Sequence, residues 1–179
     1  MRPSTSTDAT PRATPGPLSP ACACGRLRRA TRALTQLYDD LMAPAGLRVT
    51  QFSLLRTLAR EGPMRINELA AVQLLDRTAL SRNLDPLVEL GHVEIVRAED
   101  ARARNVTITR AGAAALRTAE PHWARAQKEV ARRVGADRLD ALIDTLGQLE
   151  SLHPDVARTT SRRASPVAGP RYRRPAKVR

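Results

Sequence analysis

Apolar residues recur at helical spacing through most of the chain. Between Arg26 and Met42, Leu27, Ala30, Leu34, Leu37 and Leu41 stand three or four apart, the period of one amphipathic helix. Pro44 and Gly46 end it. Thr50 is placed to cap a second helix carrying Phe52, Leu54, Leu55 and Leu58, which Gly62-Pro63 terminates. Asn67 is placed to cap a short helix from Glu68 to about Val72. After Gln73-Leu74-Leu75, Asp76 caps a longer helix that runs to Leu90 and closes with Gly91 in the C′ position. The period then changes. His92-Val93-Glu94-Ile95-Val96 alternates as a strand does, a charged turn runs from Arg97 to Arg104, and Val106-Thr107-Ile108 alternates again. Two helices finish the pattern. One runs from near Arg110 to about Val134, with Pro121 as a point of kinking and Gly135 as its end. The other spans about Asp137 to Leu152 and carries Leu139, Leu142, Ile143, Leu146 and Leu149 on one face.

The predicted fold is therefore mainly α with a small β-hairpin: a helix-turn-helix followed by a two-stranded wing, framed by terminal helices. Neither the first helix nor the last two can bury its stripe inside so small a domain. A second copy of the chain, with these helices interleaved, is the expected cover. The domain reading is a disordered extension over residues 1–20, a folded region over 21–152 and a disordered basic tail over 153–179. Within the folded region, 21–45 and 111–152 are the dimerisation helices and 47–110 the winged helix-turn-helix. The head holds five Pro and seven Ser or Thr in its 20 residues, too little apolar surface to form a core.

Composition adds less than it first promises. The formal charge of +12 sits largely in the tail, where eight Arg or Lys oppose one Asp. The folded region, with 20 basic and 16 acidic residues, is only mildly basic. A basic tail draws phosphates, but as a solvated extension it names no partner. Aromatic residues make up 2% of the chain, so the core must be aliphatic. No stretch reaches the roughly 20 apolar residues of a membrane span, no signal peptide is visible, and two cysteines make no disulfide scaffold. A cytoplasmic protein is expected. His92, His122 and His153 lack metal-ligand spacing, and neither a nucleophile–base–acid set nor a glycine-rich phosphate loop occurs. No enzyme, metal site or cofactor is expected.

The chemistry lies on the helix from Asp76. Leu80, Leu84, Leu87 and Val88 share one face and should pack inward, whereas Arg77, Thr78, Ser81 and Arg82 share the other, near its N-terminal end. Asn83 falls at the margin. A recognition helix presents its first turns to base edges in the major groove, where Arg reads guanine bidentately and short hydroxyls reach bases or phosphates. Alone, this is an ordinary amphipathic surface helix. The short helix before it and a wing carrying Arg97, Arg102 and Arg104 around Asp100 turn the reading towards double-stranded DNA. Pro86 inside the helix removes a backbone donor beyond the base-reading turns.

In combination these segments resemble the MarR family of bacterial regulators. The resemblance covers about Cys24 to Leu152. It is carried by Ile66-Asn67-Glu68-Leu69-Ala70, the run from Asp76 to Leu84, the Leu90-Gly91 junction, the wing Asp100-Ala101-Arg102, and Thr109 with Gly112 as a Thr-x-x-Gly motif. It implies a homodimeric winged helix-turn-helix repressor acting on a pseudo-palindromic operator. It also implies that Arg102 is the minor-groove residue and Asp100 the carboxylate that orients it. The family commonly has two adjacent Arg after that Asp, and here Ala101 takes the first place. The rival reading from another class is a non-specific nucleoid-type binder driven by the basic tail.

Two inputs compete for control of DNA binding. Cys22 and Cys24 lie where the first helix begins, among Arg26, Arg28 and Arg29, a setting that favours thiolate. The organic-peroxide-sensing branch of the family pairs a Cys with a Tyr fourteen residues on, and Cys24 and Tyr38 have that spacing; a second Tyr of that branch falls at Arg28. Fourteen residues is about 21 Å along a helix, so a Tyr partner for Cys24 must come from elsewhere. Alternatively a small aromatic acid binds between the DNA-binding and dimer parts, with Tyr38, His122 and Trp123 as candidate pocket residues. A soft metal held by both cysteines and plainly inert thiols also stay open.

Overall fold

The computed structural model describes residues 22–97 and 104–154. The head and tail thus lie outside the described residues, apart from His153 and Pro154, as do the expected wing residues Asp100 and Arg102. The elements in chain order are α1 (Ala23–Met42), a 3-10 turn (Ala43–Ala45), α2 (Val49–Glu61), β1 (Met64–Arg65), α3 (Ile66–Val72), α4 (Arg77–Glu89), β2 (Val93–Arg97), β3 (Arg104–Ile108), α5 (Arg110–Val134) and α6 (Ala136–Glu150).

Several boundaries move, each for a local reason. The first helix begins at Ala23 because Cys22 is its cap: its Sγ accepts a hydrogen bond from the Gly25 N–H at 3.4 Å. The second begins at Val49, ahead of the expected Thr50 cap. There the Arg48 N–H donates to Gln51 Oε1 at 2.9 Å, and the Val49 N–H donates to Asp39 Oδ1 of α1 at 2.8 Å. The third is capped from Arg65 and not from Asn67, because Glu68 reaches back to the Arg65 N–H at 3.2 Å. In each case a side chain satisfies an orphan donor: that of the cap itself in the first helix, one three residues inside the helix in the second and third, and one from a neighbouring helix as well in the second.

The wing is a three-stranded antiparallel sheet of order β1-β3-β2, not the two-stranded hairpin expected. The extra strand, β1, sets Met64 opposite Val106 and Arg65 opposite Asn105. The hairpin itself runs from Val93 opposite Ile108 to Arg97 opposite Arg104, so both arginines belong to strands. Pro121 lies inside α5, which continues through it as one helix of 25 residues.

The core sits between α2, α4, the sheet and the first half of α5. Phe52, Leu54, Leu55 and Leu58 of α2 meet Leu69 of α3, Leu80, Leu84 and Leu87 of α4, Val93 and Val106 of the sheet, and Ala119 of α5. Val88, expected inside, is 40% exposed, because the buried arc of α4 ends with Leu87. The terminal helices contrast with this core. Along α1 only Met42 is buried, and α6 buries nothing.

Candidate nucleic-acid interface

The geometry of α4 starts from its cap. Asp76 Oδ1 accepts from the Ala79 N–H at 2.8 Å, so Asp76 is the cap and the helix begins at Arg77. Leu80, Leu84 and Leu87 anchor its inner face, and this turns Arg77, Thr78, Ser81 and Arg82 to solvent. The Ser81 hydroxyl donates to Asp85 Oδ1 at 3.4 Å, a long bond that a better acceptor can replace. Asn83 is half-buried and its amide donates to the Ala79 carbonyl at 2.8 Å. It lines a groove of about 300 Å³ with Val49, Thr50, Ser53, Gln73 and Leu75. The structure thus sets it apart from the four exposed residues.

A device unseen in the sequence holds α4 against α2. The turn between α3 and α4 passes through Leu74 at φ 52°, a left-handed conformation that costs about 1 kcal/mol or more outside glycine. The bond from the Leu75 N–H to the Ala70 carbonyl, 2.9 Å, closes the turn. Gln73 Nε2 donates to Thr57 Oγ1 of α2 at 2.8 Å, and Ser53 Oγ donates to Gln73 Oε1 at 3.3 Å. One glutamine therefore satisfies the buried Thr57 hydroxyl and pins the turn. Its position in a connector, outside any apolar period, gave no signal of this.

The other end of α4 is latched to α5. Gly91 stands at φ 67°, in the left-handed region that ends helices, and the chain enters β2 through His92. Thr109 caps α5 by accepting from the Gly112 N–H at 3.0 Å. Its hydroxyl donates to the Gly91 carbonyl at 2.7 Å, and its N–H to the His92 carbonyl at 3.0 Å. Gly112 packs directly over this step. A Cβ there would overlap the His92 carbonyl oxygen, which explains why the motif ends in glycine. α4, the wing and the long α5 are thereby tied at one point. Arg97 and Arg104 face each other across the last described rung of the wing, both exposed.

A family model described as MarR family matches residues 45–103, the stretch that holds the Gln73 turn and α4. The transcriptional regulator MosR of M. tuberculosis, solved in complex with DNA, is 39% identical over 73% of this chain and 97% of its own, with a TM-score of 0.64. The chain belongs to the MarR family. Wild-type MarR of E. coli is 26% identical over 72% of this chain and 96% of its own, with a TM-score of 0.57. The transcriptional repressor CouR, solved bound to a 23-mer DNA duplex, is 27% identical over 69% and 89%, at a TM-score of 0.64. No curated protein matches the chain by sequence.

In this MarR-family protein the sensing candidates fall into two separate places. Cys22 and Cys24 are both exposed, at the start of α1. Tyr38 lies near the other end of that helix, half-buried against the main core, and burial raises its phenol above the usual value. The structure brings Tyr38 no closer to either thiol within one subunit. Trp123 of α5 also packs on the core. Its ring stacks on Phe52 at 5.7 Å between centroids, and the Arg56 guanidinium sits 4.3 Å from its centroid. His122 is half-buried beside it. Among the described residues no His, Cys, Asp and Glu cluster could hold a metal, and no helix is long and apolar enough to cross a membrane.

Proposed function

We propose that this protein is a homodimeric, sequence-specific transcription repressor, acting in the cytoplasm on a pseudo-palindromic double-stranded operator. The observation that carries the reading is the division of α4: three leucines fixed in the core, and Arg77, Thr78, Ser81 and Arg82 held outward in its first two turns. Such a helix fits a major groove, with arginine reading guanine edges. Asn83 contributes from the margin, while Arg104 and the wing-tip pair Asp100 and Arg102 follow the adjacent backbone and minor groove. The uncovered faces of α1 and α6 support the dimer, and the DNA complexes of MosR and CouR support the partner. Deleting residues 153–179 separates this from a tail-driven nucleoid binder: the repressor keeps its site preference, whereas the architectural protein loses most of its affinity.

Release from DNA follows from a small aromatic acid near Tyr38, His122 and Trp123, or from oxidation of Cys24 with Cys22 beside it. The exposure of both thiols supports the second route. Treating wild type and a Cys24→Ser variant with an organic hydroperoxide, and titrating benzoate against the fluorescence of Trp123, distinguishes the routes. Equal loss of operator binding in both proteins after peroxide removes Cys24 as the switch.

A further inference from the structure

The outward face of α4 changes character halfway along the helix. Leu80, Leu84 and Leu87 hold the other side in the core. Opposite them Thr78, Ser81, Arg82, Asp85 and Glu89, all exposed, fall within an arc of about 100°. The stripe thus passes from hydroxyls and an arginine to two carboxylates. Asp85 lies about 4.5 Å beyond Arg82 along the axis, little more than one base step of about 3.4 Å. Neither Arg82 nor any other described basic side chain forms an ion pair with Asp85. Among the described residues its carboxylate takes one hydrogen bond, from the Ser81 hydroxyl to Oδ1 at 3.4 Å, and Oδ2 has no partner. An unpaired carboxylate on a face that meets phosphates weakens binding to every sequence, unless a base supplies it with a donor.

We propose that Asp85 reads a base, its carboxylate accepting from the N4 amino group of a cytosine in each half-site. The proposal rests on the reading of α4 as a recognition helix and adds which base its second half selects. A carboxylate accepts and does not donate. In the major groove guanine shows the acceptors N7 and O6, and thymine shows O4 and a methyl group, so neither satisfies it. Adenine's amino group stands beside the N7 acceptor, whereas cytosine shows a donor alone. While Ser81 donates to Asp85, the hydroxyl also turns its lone pairs outward, so the two side chains together offer acceptors only. Arg82 supplies donors next to them, and the guanine paired with that cytosine is the base an arginine reads. The stripe therefore matches a G·C pair on both strands, guanine through Arg82 and cytosine through Asp85. Glu89 stands about 18 Å from the start of the helix, more than the groove's width of about 12 Å. It is a charge on the same stripe beyond the base edges, and serves as the comparison.

The test is binding of the full chain, at fixed salt, to its selected operator and to every single base-pair change in the half-site, with circular dichroism as a check on folding. Wild type should favour cytosine at one position by about tenfold or more. Asp85→Ala should lose that preference and keep the others, while holding random DNA at least as tightly, because a negative charge has left the face. Asp85→Asn should move the preference at this position to adenine, whose N6 and N7 an amide reads; a variant that merely folds badly gains no new preference. Glu89→Gln should shift all sequences alike. A wild type with no preferred base anywhere overturns the sequence-specific reading, and this proposal with it. A selective wild type whose preferences all survive Asp85→Ala overturns the proposal alone, as does an Asp85→Ala effect that is uniform across sequences.

Discussion

Replacing Gly112 with alanine tests how the reading head is fixed to the frame. A Cβ at this position overlaps the His92 carbonyl oxygen, and it lies 2.8 Å from the carbonyl carbon and 3.0 Å from Ile108 Cγ1. Restoring ordinary van der Waals separation needs α5 and the Gly91–His92 step to part by roughly 1 Å or more. Overpacking of this kind costs about 1–3 kcal/mol. The same movement stretches the two bonds from Thr109 to the Gly91 and His92 carbonyls, 2.7 and 3.0 Å long. Each is worth about 0.5–1.5 kcal/mol, which brings the loss to about 2–6 kcal/mol. For a domain of this size that lowers the melting temperature by roughly 10 °C. The measurement is thermal unfolding at equal protein concentration, since the stability of the proposed dimer depends on concentration. Gly147→Ala in α6 is the control. Nothing lies within 4 Å of a Cβ there, so alanine's helix preference should leave stability equal or raise it by about 0.5–1 kcal/mol. A Gly112→Ala protein that melts within a degree or two of wild type refutes the latch.

Three further outcomes are expected. Gln73→Ala strips the partner from the buried Thr57 hydroxyl and should cost about 1–2 kcal/mol in chemical denaturation, and Thr57→Val in that background should recover part of it. Glu129 has its carboxyl lowered to about 2, first by the Arg132 hydrogen bond, so its contribution is complete above its ordinary value of 4.5 and is lost as the pH falls towards 2. Stabilities of wild type and Glu129→Gln, measured from pH 7 to 2, should therefore converge at the acid end; a constant difference contradicts the pairing. Arg102→Ala should weaken operator binding across sequences and lower the slope of log affinity against log salt by about one, and an unchanged slope takes Arg102 off the DNA.

Sequence and structure agree most closely where one residue decides an element. Asp76 and Gly91 bracket α4 because a carboxylate at the cap and a glycine at positive φ act locally. The Thr109–Gly112 motif was readable as a pattern, but its reason, a close approach to His92, is tertiary. β1 escaped notice because two residues are too few to alternate, and only pairing with β3 makes them a strand. Arg48 and Arg65 escaped as caps because the accepting groups belong to Gln51 and Glu68, three residues inside each helix. Val88 shows the limit of a helical wheel, since the core ends at Leu87 and apolar character alone does not bury a residue. The α6 stripe was legible as apolar, but its emptiness needed the coordinates.

The central claim is that α4 reads sequence. Footprinting on genomic fragments, followed by binding to the selected site, tests it most directly. The prediction is two protected half-sites about 10 base pairs apart, with Arg77→Ala and Arg82→Ala each costing about 1–3 kcal/mol there and little on random DNA. Uniform protection without a preferred site, or variants that weaken both DNAs equally, would contradict it.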